Sequence, residues 1–308
     1  MITTQTRVHE GPAAAGANLT TKKAIVQNGY GSAELLELRD IETKPTTNGH
    51  GPAPSPTAVG GRIAPTSPKR LARIAGVLYL LVGIFGGFAQ GFVYPKIYVA
   101  GDAAATAANL VANSGLVRLG VVADFFDNIT WVLLALILFG LLKHVNKNAA
   151  RAMVVLVAMG AGITMLNAVF EFEGLRIATG AVSLGAIGAA GSNAVALLFV
   201  DVQHYGLLIA QIFFGLWLVP LGYLGYRSRL FPRALGVALI VGAACYLVDT
   251  LAAFLVPDLG KAIHGYITIP SAVAEIAMVV YLLVIGVNTK GSNASQFTAD
   301  RFSGKGAE

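Results

Sequence analysis

Eight ionisable side chains lie at or within long apolar stretches of this chain. They are Asp124 and Asp127, Glu171 and Glu173, Asp201 and His204, Asp249, and Glu275. A charge at the centre of a bilayer costs about 2.5–3.5 kcal/mol on insertion scales, so such residues face a protein interior and often mark function. Carboxylates gathered there can hold a cation, relay a proton or orient a polar solute. Helical spacing gathers some of them: Asp124, Asp127 and Trp131 share one face, as do Asp201, His204, Leu208 and Gln211, and Asn167 lies one turn from Glu171. Arg118 and His204 are the expected positive or hydrogen-bonding partners, with His264 nearby on a loop. The candidate polar pocket is therefore Arg118, Asp124, Asp127, Glu171, Asp201, His204, Asp249 and Glu275. The same residues could instead hydrogen-bond between helices or meet water at a rim, as Asp249 and Glu171 are placed to do. No H-E-x-x-H motif or His cluster offers a metal site, and no nucleophile–base pair is visible. No catalytic residue, metal or cofactor is expected.

The elements that must position these residues are membrane helices. Of the 308 residues 55% are hydrophobic and only 12% charged, against about 25% charged in soluble domains. Crossing a bilayer core of about 30 Å takes about 20 helical residues. Six stretches qualify: Leu71–Val93, Leu119–Leu142, Ala152–Phe172, Tyr205–Tyr226, Ala234–Val256 and Tyr266–Val287. Each must be helical, because an open strand in lipid leaves backbone groups unpaired. Basic residues crowd every second gap: Arg62, Lys69 and Arg70; Lys143, Lys147 and Arg151; Arg227, Arg229 and Arg233; Lys290, Arg301 and Lys305. Positive residues favour the cytoplasmic side, so both termini are expected there and the eight acids and histidines fall toward the outer half. The net charge of +6 follows from this topology and forms no nucleic-acid stripe. The lone Cys245 has no disulfide partner, and the first apolar run begins too late for a signal peptide.

Several local features follow. The weakly apolar Ile177–Val200 is expected to be an outer loop leading into an outward extension of the fourth helix from about Ala194. Asp102 suits the N-cap of a short surface helix over Ala103–Asn113, with Gly115 as its stop. Gly83, Gly87 and Gly91 line one face of the first span and predict close helix packing, within the bundle or between two copies. Pro220 predicts a kink in the fourth span. Tyr94, Tyr98, Tyr205, Tyr223, Tyr226 and Tyr266 fall where interface anchors belong.

Two resemblances add to this reading. The stretches RLARIAGVLY (70–79), GDAAATAA (101–108), RLGVVAD (118–124), LKHVN (142–146), DVQHYG (201–206), the GYLGYRSRLFPRALG core within 213–249 and Pro270 to Glu275 resemble a bacterial six-helix membrane family catalogued as a domain of unknown function, DUF4386. The resemblance implies an all-α integral membrane bundle of six transmembrane helices, residues 69–288, in the plasma membrane. It supplies no activity, and its recurrent polar positions look like Arg118, Asp124, His204, Asp249 and Glu275. Residues 23–45, KAIVQNGYGSAELLELRDIETKP, resemble the opening hairpin of medium-chain alcohol dehydrogenases and quinone reductases, and also read as strand, Asn-Gly turn region, strand. No dinucleotide-binding G-x-G-x-x-G unit follows, so dehydrogenase activity is not expected. The hairpin reads as a gene-fusion or start-site remnant, cytoplasmic and largely unfolded, within a disordered tail, 1–68, rich in Pro, Gly, Thr and Ala. Residues 289–308 form a second disordered tail.

Three classes of function stay open at this level: a non-enzymatic structural or regulatory membrane protein, a transporter for a small polar solute, cation or proton, and a membrane-embedded enzyme. The topology itself is directly testable. A reporter fused after Gly286 is expected to be active only in a cytoplasmic-reading format, and activity only on the exterior would overturn the arrangement.

Overall fold

The structure, a computed structural model, describes residues 67–288 and, ahead of them, the backbone of two strands. The chain divides into two compact units, Met1–Ile63 and Ala64–Glu308. In the first, β1 (Thr20–Gln27) pairs antiparallel with β2 (Leu36–Thr43), from Thr20 opposite Thr43 to Gln27 opposite Leu36. Strands are therefore paired where the sequence predicts a largely unfolded remnant of a hairpin. The rest of the tail expected to be disordered, and residues 289–308, lie outside the described residues.

The second unit is all-α among its described residues. Six helical stretches are long and apolar enough to cross a membrane: Pro68–Ile97, Ser114–Leu142, Lys147–Ala178, Gly185–Ser228, Arg233–Leu255 and Pro257–Val284. The chain is an integral membrane bundle, and each expected span falls within or close to one of these. Prolines break three of them. The first runs as α1 (Pro68–Gly86), a π-helical segment (Gly87–Val93) and α2 (Tyr94–Ile97). Pro95 has no N–H for the Gly91 carbonyl, and the Tyr94 N–H reaches back five residues to Ala89.

A short surface helix follows, α3 (Ala103–Ala112), capped by Asp102, whose carboxylate accepts the Ala105 N–H at 2.9 Å. It ends at Asn113 rather than Gly115. Asn113 caps the Asn109 carbonyl through its own amide at 2.9 Å, and α4 (Ser114–Leu142) starts at once, five residues before the expected Leu119. α5 (Lys147–Ala178) begins at Asn146, whose side chain accepts two backbone N–H groups at 3.0 Å.

The expected outward extension of the fourth span is longer than foreseen. α6 (Gly188–Leu216) starts at Gly188, whose φ of 68° suits glycine. α6 stops at Trp217 and resumes as α7 (Leu218–Ser228), because Pro220 offers no N–H to the Leu216 carbonyl. α8 (Arg233–Leu255) follows Pro232, and the sixth span begins at Pro257, earlier than the expected Tyr266. It breaks at Thr268 between α9 (Pro257–Ile267) and α10 (Ile269–Val284), where Pro270 leaves the Tyr266 carbonyl without its helical partner.

The spans close into a ring: α1 packs on α4, α4 on α5, α5 on α6, α6 on α8, α8 on α10, and α10 back on α1, while α7 packs on α4, α5 and α8. The main core inside the ring is built on Trp131, Trp217, Leu138, Leu141, Leu221 and Met278. Trp217 meets the edges of Tyr79 and Trp131 with ring centroids 5.5 and 5.7 Å apart. A second apolar cluster, with Ile97, Leu110, Val117, Leu175, Ala196 and Val200, seals the α3 end of the bundle. The opposite end gathers the helix ends that carry the basic residues; there the Asn288 N–H bonds the Leu230 carbonyl at 3.0 Å.

Glycines permit the tight crossings, but not those expected. A methyl group on Gly83, Gly87 or Gly91 would meet nothing within 4 Å. That face is open within the chain, so it does not carry packing inside the bundle. Close approach belongs to Gly222 and Gly236, where an added Cβ would sit 2.6 and 2.7 Å from the other's carbonyl oxygen across α7 and α8. Gly222→Ala and Gly236→Ala should each destabilise the detergent-solubilised protein by about 1–3 kcal/mol, the usual range for overpacking. Gly87→Ala should stay within about 0.5 kcal/mol, as lipid-facing changes without contacts do. Denaturant titration of helicity separates the two outcomes.

Candidate functional site

The structure distributes the expected polar residues among separate groups rather than one open pocket. Glu275 on α10 forms the first. Its carboxylate accepts the hydroxyls of Tyr79 on α1, at 2.8 Å, and Tyr246 on α8, at 3.0 Å. Three helices meet at one carboxylate with both oxygens satisfied. The second group centres on Asp249, buried near the end of α8. It accepts the Gln211 amide of α6 at 2.6 Å and faces the His264 ring nitrogen of α9 at 2.9 Å. His264, a side candidate from sequence, therefore does meet an acid, with much of its own ring exposed.

The third group lies toward the α3 end. Tyr98 donates to Asp201 at 2.7 Å. Burial, and then this hydrogen bond, hold the Tyr98 hydroxyl protonated well above its ordinary range. The rings of Tyr94, Tyr98 and His204 stack together, with centroids 5.2, 5.3 and 6.0 Å apart. Tyr94 and Tyr98, expected as interface anchors, both take part in this stack.

Beneath the stack is a buried cluster of polar side chains, a polar chamber in this sense alone, from the π segment, α2, α4, α5 and α6. Gln90 donates its amide to both oxygens of Asp124, at 3.0 and 3.2 Å. Asn128 donates to the Asp124 backbone carbonyl at 2.7 Å. Asp127 and Glu171 lie within electrostatic range of Asp124, and Tyr94 within range of Glu171. Asn167, one turn from Glu171 on α5, packs its amide against Gly206 of α6, where no Cβ would fit. Gln90 Oε1, the Tyr94 hydroxyl, Asp127 Oδ1, Asn128 Oδ1 and Asn167 Nδ2 are buried without a hydrogen-bond partner, as is Gln203 Oε1 on α6. Because Gln90 and Asn128 spend their N–H groups on Asp124, what they leave over is carbonyl oxygen. Asn167 Nδ2 is a donor and the Tyr94 hydroxyl can donate, so the unpartnered set is mixed, with carbonyl and carboxylate oxygens in the majority.

Arg118 does not supply the missing donor. Its guanidinium lies over the Phe172 ring, 5.5 Å from the centroid, on the outside of α4. Glu173 pairs with Arg176 at 2.6 Å on one helix face. Two apolar grooves lie on the outside of the bundle, and neither is lined by an acid. No group of three or more His, Cys, Asp or Glu able to hold a metal occurs among the described residues. A search for ionisable groups alone overlooks Gln90, Asn128 and Gln203, and also Tyr79 and Tyr246. The signal that finds them is any amide or phenol inside an apolar span, because such a group needs a partner as a carboxylate does.

Fold and site together define a polytopic α-helical membrane protein with a buried polar core. A family model described as Domain of unknown function (DUF4386) matches residues 74–286, and the chain belongs to that family. No curated protein and no solved structure matches the chain. The likeness of residues 23–45 to dehydrogenases rests on those residues alone.

The paired Glu275 makes a quantitative test. Tyr79→Phe or Tyr246→Phe leaves a buried carboxylate oxygen short of a donor and should each cost about 1–2 kcal/mol of stability in detergent. A double-mutant cycle between them should show coupling, since both act through one carboxylate.

Proposed function

We propose that the protein is a carrier for a small cation, the proton included, that occupies the chamber around Asp124 and Glu171. The observation behind this reading is the contrast within the polar core. The carboxylates of Glu275, Asp249 and Asp201 each have a hydrogen-bonding partner. In the chamber Asp124 is likewise held by Gln90, but around it several buried polar atoms, the Gln90, Asn128 and Asp127 oxygens among them, are left without a partner. Buried polar groups of native proteins are almost always paired, so such a surplus of acceptors calls for something that brings positive charge or donors. Its place between two apolar clusters suits an occluded site, closed toward both ends. The π segment beside it supports the same reading, since such wide turns recur at functional positions.

In this reading the α3 end faces outward and both termini are cytoplasmic, because basic residues crowd the opposite end, and the protein resides in the plasma membrane. The other acids have a plainer role. The pairing of Glu275 and Asp249 favours helix-to-helix clamping, and Asp201 with Tyr98 belongs to the outer closure.

Purified protein in proteoliposomes, with proton, sodium, potassium or ammonium gradients imposed in turn, tests the proposal. Wild type should dissipate at least one gradient faster than empty vesicles. Asp124→Asn and Glu171→Gln should slow it about tenfold or more, the scale of one lost charged contact. Asp258→Asn, on the exposed first turn of α9, should leave it unchanged. Wild-type rates in both chamber variants, or no flux of any of the four, would remove the carrier reading.

A further inference from the structure

Between α4 and α5, on the outside of the ring, runs a groove of about 370 Å³ lined by Val121, Val122, Phe125, Val169 and Phe172, with Arg118 among its walls. Val122, Phe125 and Val169 are exposed there. Arg118 is the one charged group lining the groove, and among the described residues it forms no ion pair. It sits on the second turn of α4, 25 residues before Lys143 at the far end. At 1.5 Å per residue those two cations are about 37 Å apart, a little more than the hydrocarbon thickness of about 30 Å. Arg118 therefore falls at headgroup depth while the groove below it runs through hydrocarbon.

We infer that this groove is a binding site for one anionic phospholipid, with an acyl chain along Val122, Phe125 and Val169 and the phosphodiester on the Arg118 guanidinium. The cation–π contact with Phe172 engages the face of the guanidinium and leaves its N–H edges available. A planar fork of donors matches two phosphate oxygens at once. Charge complementarity decides the headgroup: a zwitterionic lipid brings its own ammonium to compete for the phosphate, whereas an anionic lipid does not. The second groove, lined by Ile84, Phe85, Phe88, Leu119 and Phe126 among others, has no charged wall and should take lipid without such a preference. The site is independent of the cation chamber.

The test uses the full-length protein in neutral detergent, with lipid retention read by native mass spectrometry and stability by thermal unfolding. The probes are phosphatidylglycerol, phosphatidylcholine with the same chains, and glycerol phosphate. Wild type should retain phosphatidylglycerol over phosphatidylcholine and be stabilised by it more, and glycerol phosphate should do neither. Arg118→Gln should reduce the preference about tenfold, the scale of a charged hydrogen bond. Val169→Trp, which fills the exposed groove, should cut retention, while Ile84→Trp in the second groove should keep the wild-type preference. Equal retention of both lipids by wild type, an undiminished preference in Arg118→Gln, or full reproduction of the effect by glycerol phosphate would overturn the site. Val169→Trp, at a position open to lipid, keeps the test available if Arg118→Gln fails to fold.

Discussion

In a hydrocarbon solvent a polar group has no water to fall back on, so every buried donor and acceptor must be answered by the protein itself. That requirement organises this bundle. Glu275 can lie among apolar helices because Tyr79 and Tyr246 reach it from two different helices. Asp249 is answered by Gln211 and His264 in the same way. Each acid thereby ties together elements far apart in sequence, α1 with α8 and α10, and α6 with α8 and α9. Between helices whose surfaces are all as apolar as lipid, such contacts add a directional term that apolar contact lacks.

The chamber around Asp124 departs from that requirement. Gln90 and Asn128 donate to Asp124, and their own oxygens, with one of Asp127, are left over as buried atoms. The apolar layers on either side, one built on Trp131 and Trp217 and the other on Ile97, Leu110 and Val200, lower the local dielectric and sharpen any unmet demand for positive charge. Its construction is also irregular. The π segment Gly87–Val93 carries Gln90, and the wide turn ahead of Pro95 places Tyr94 and Tyr98 beside His204. A regular helix through the same residues would present them on other faces.

Helix composition told only part of where the bundle is tight. The Gly83, Gly87 and Gly91 stripe has the spacing of a packing face, yet it looks outward with nothing against it. Gly160 instead makes room for the Trp131 ring, whose atoms would lie 2.8 Å from an added Cβ, and Gly222 and Gly236 bring α7 and α8 into backbone contact. Spacing identifies a face that can approach a neighbour; which neighbour stands there is settled by the order in which the ring closes.

The spans, their number, the break at Pro220 and the Asp102 cap were legible in the sequence, because each depends on local hydrophobicity or on one residue's backbone chemistry; the breaks at Pro95 and Pro270 were not foreseen. The acids were legible too, since a charge in an apolar run stands out against its neighbours. Their grouping was not. Helical periodicity says which residues share a face, but not which face of another helix meets it. So Arg118 appeared as a partner for acids and proved to lie on the outside over Phe172. Tyr79, Tyr246 and Gln90 are ordinary in a linear reading and became partners of Glu275 and Asp124 only when residues 29 to 196 positions apart were brought together. Local chemistry determined the elements; long-range packing decided which polar atoms were answered and which were left over.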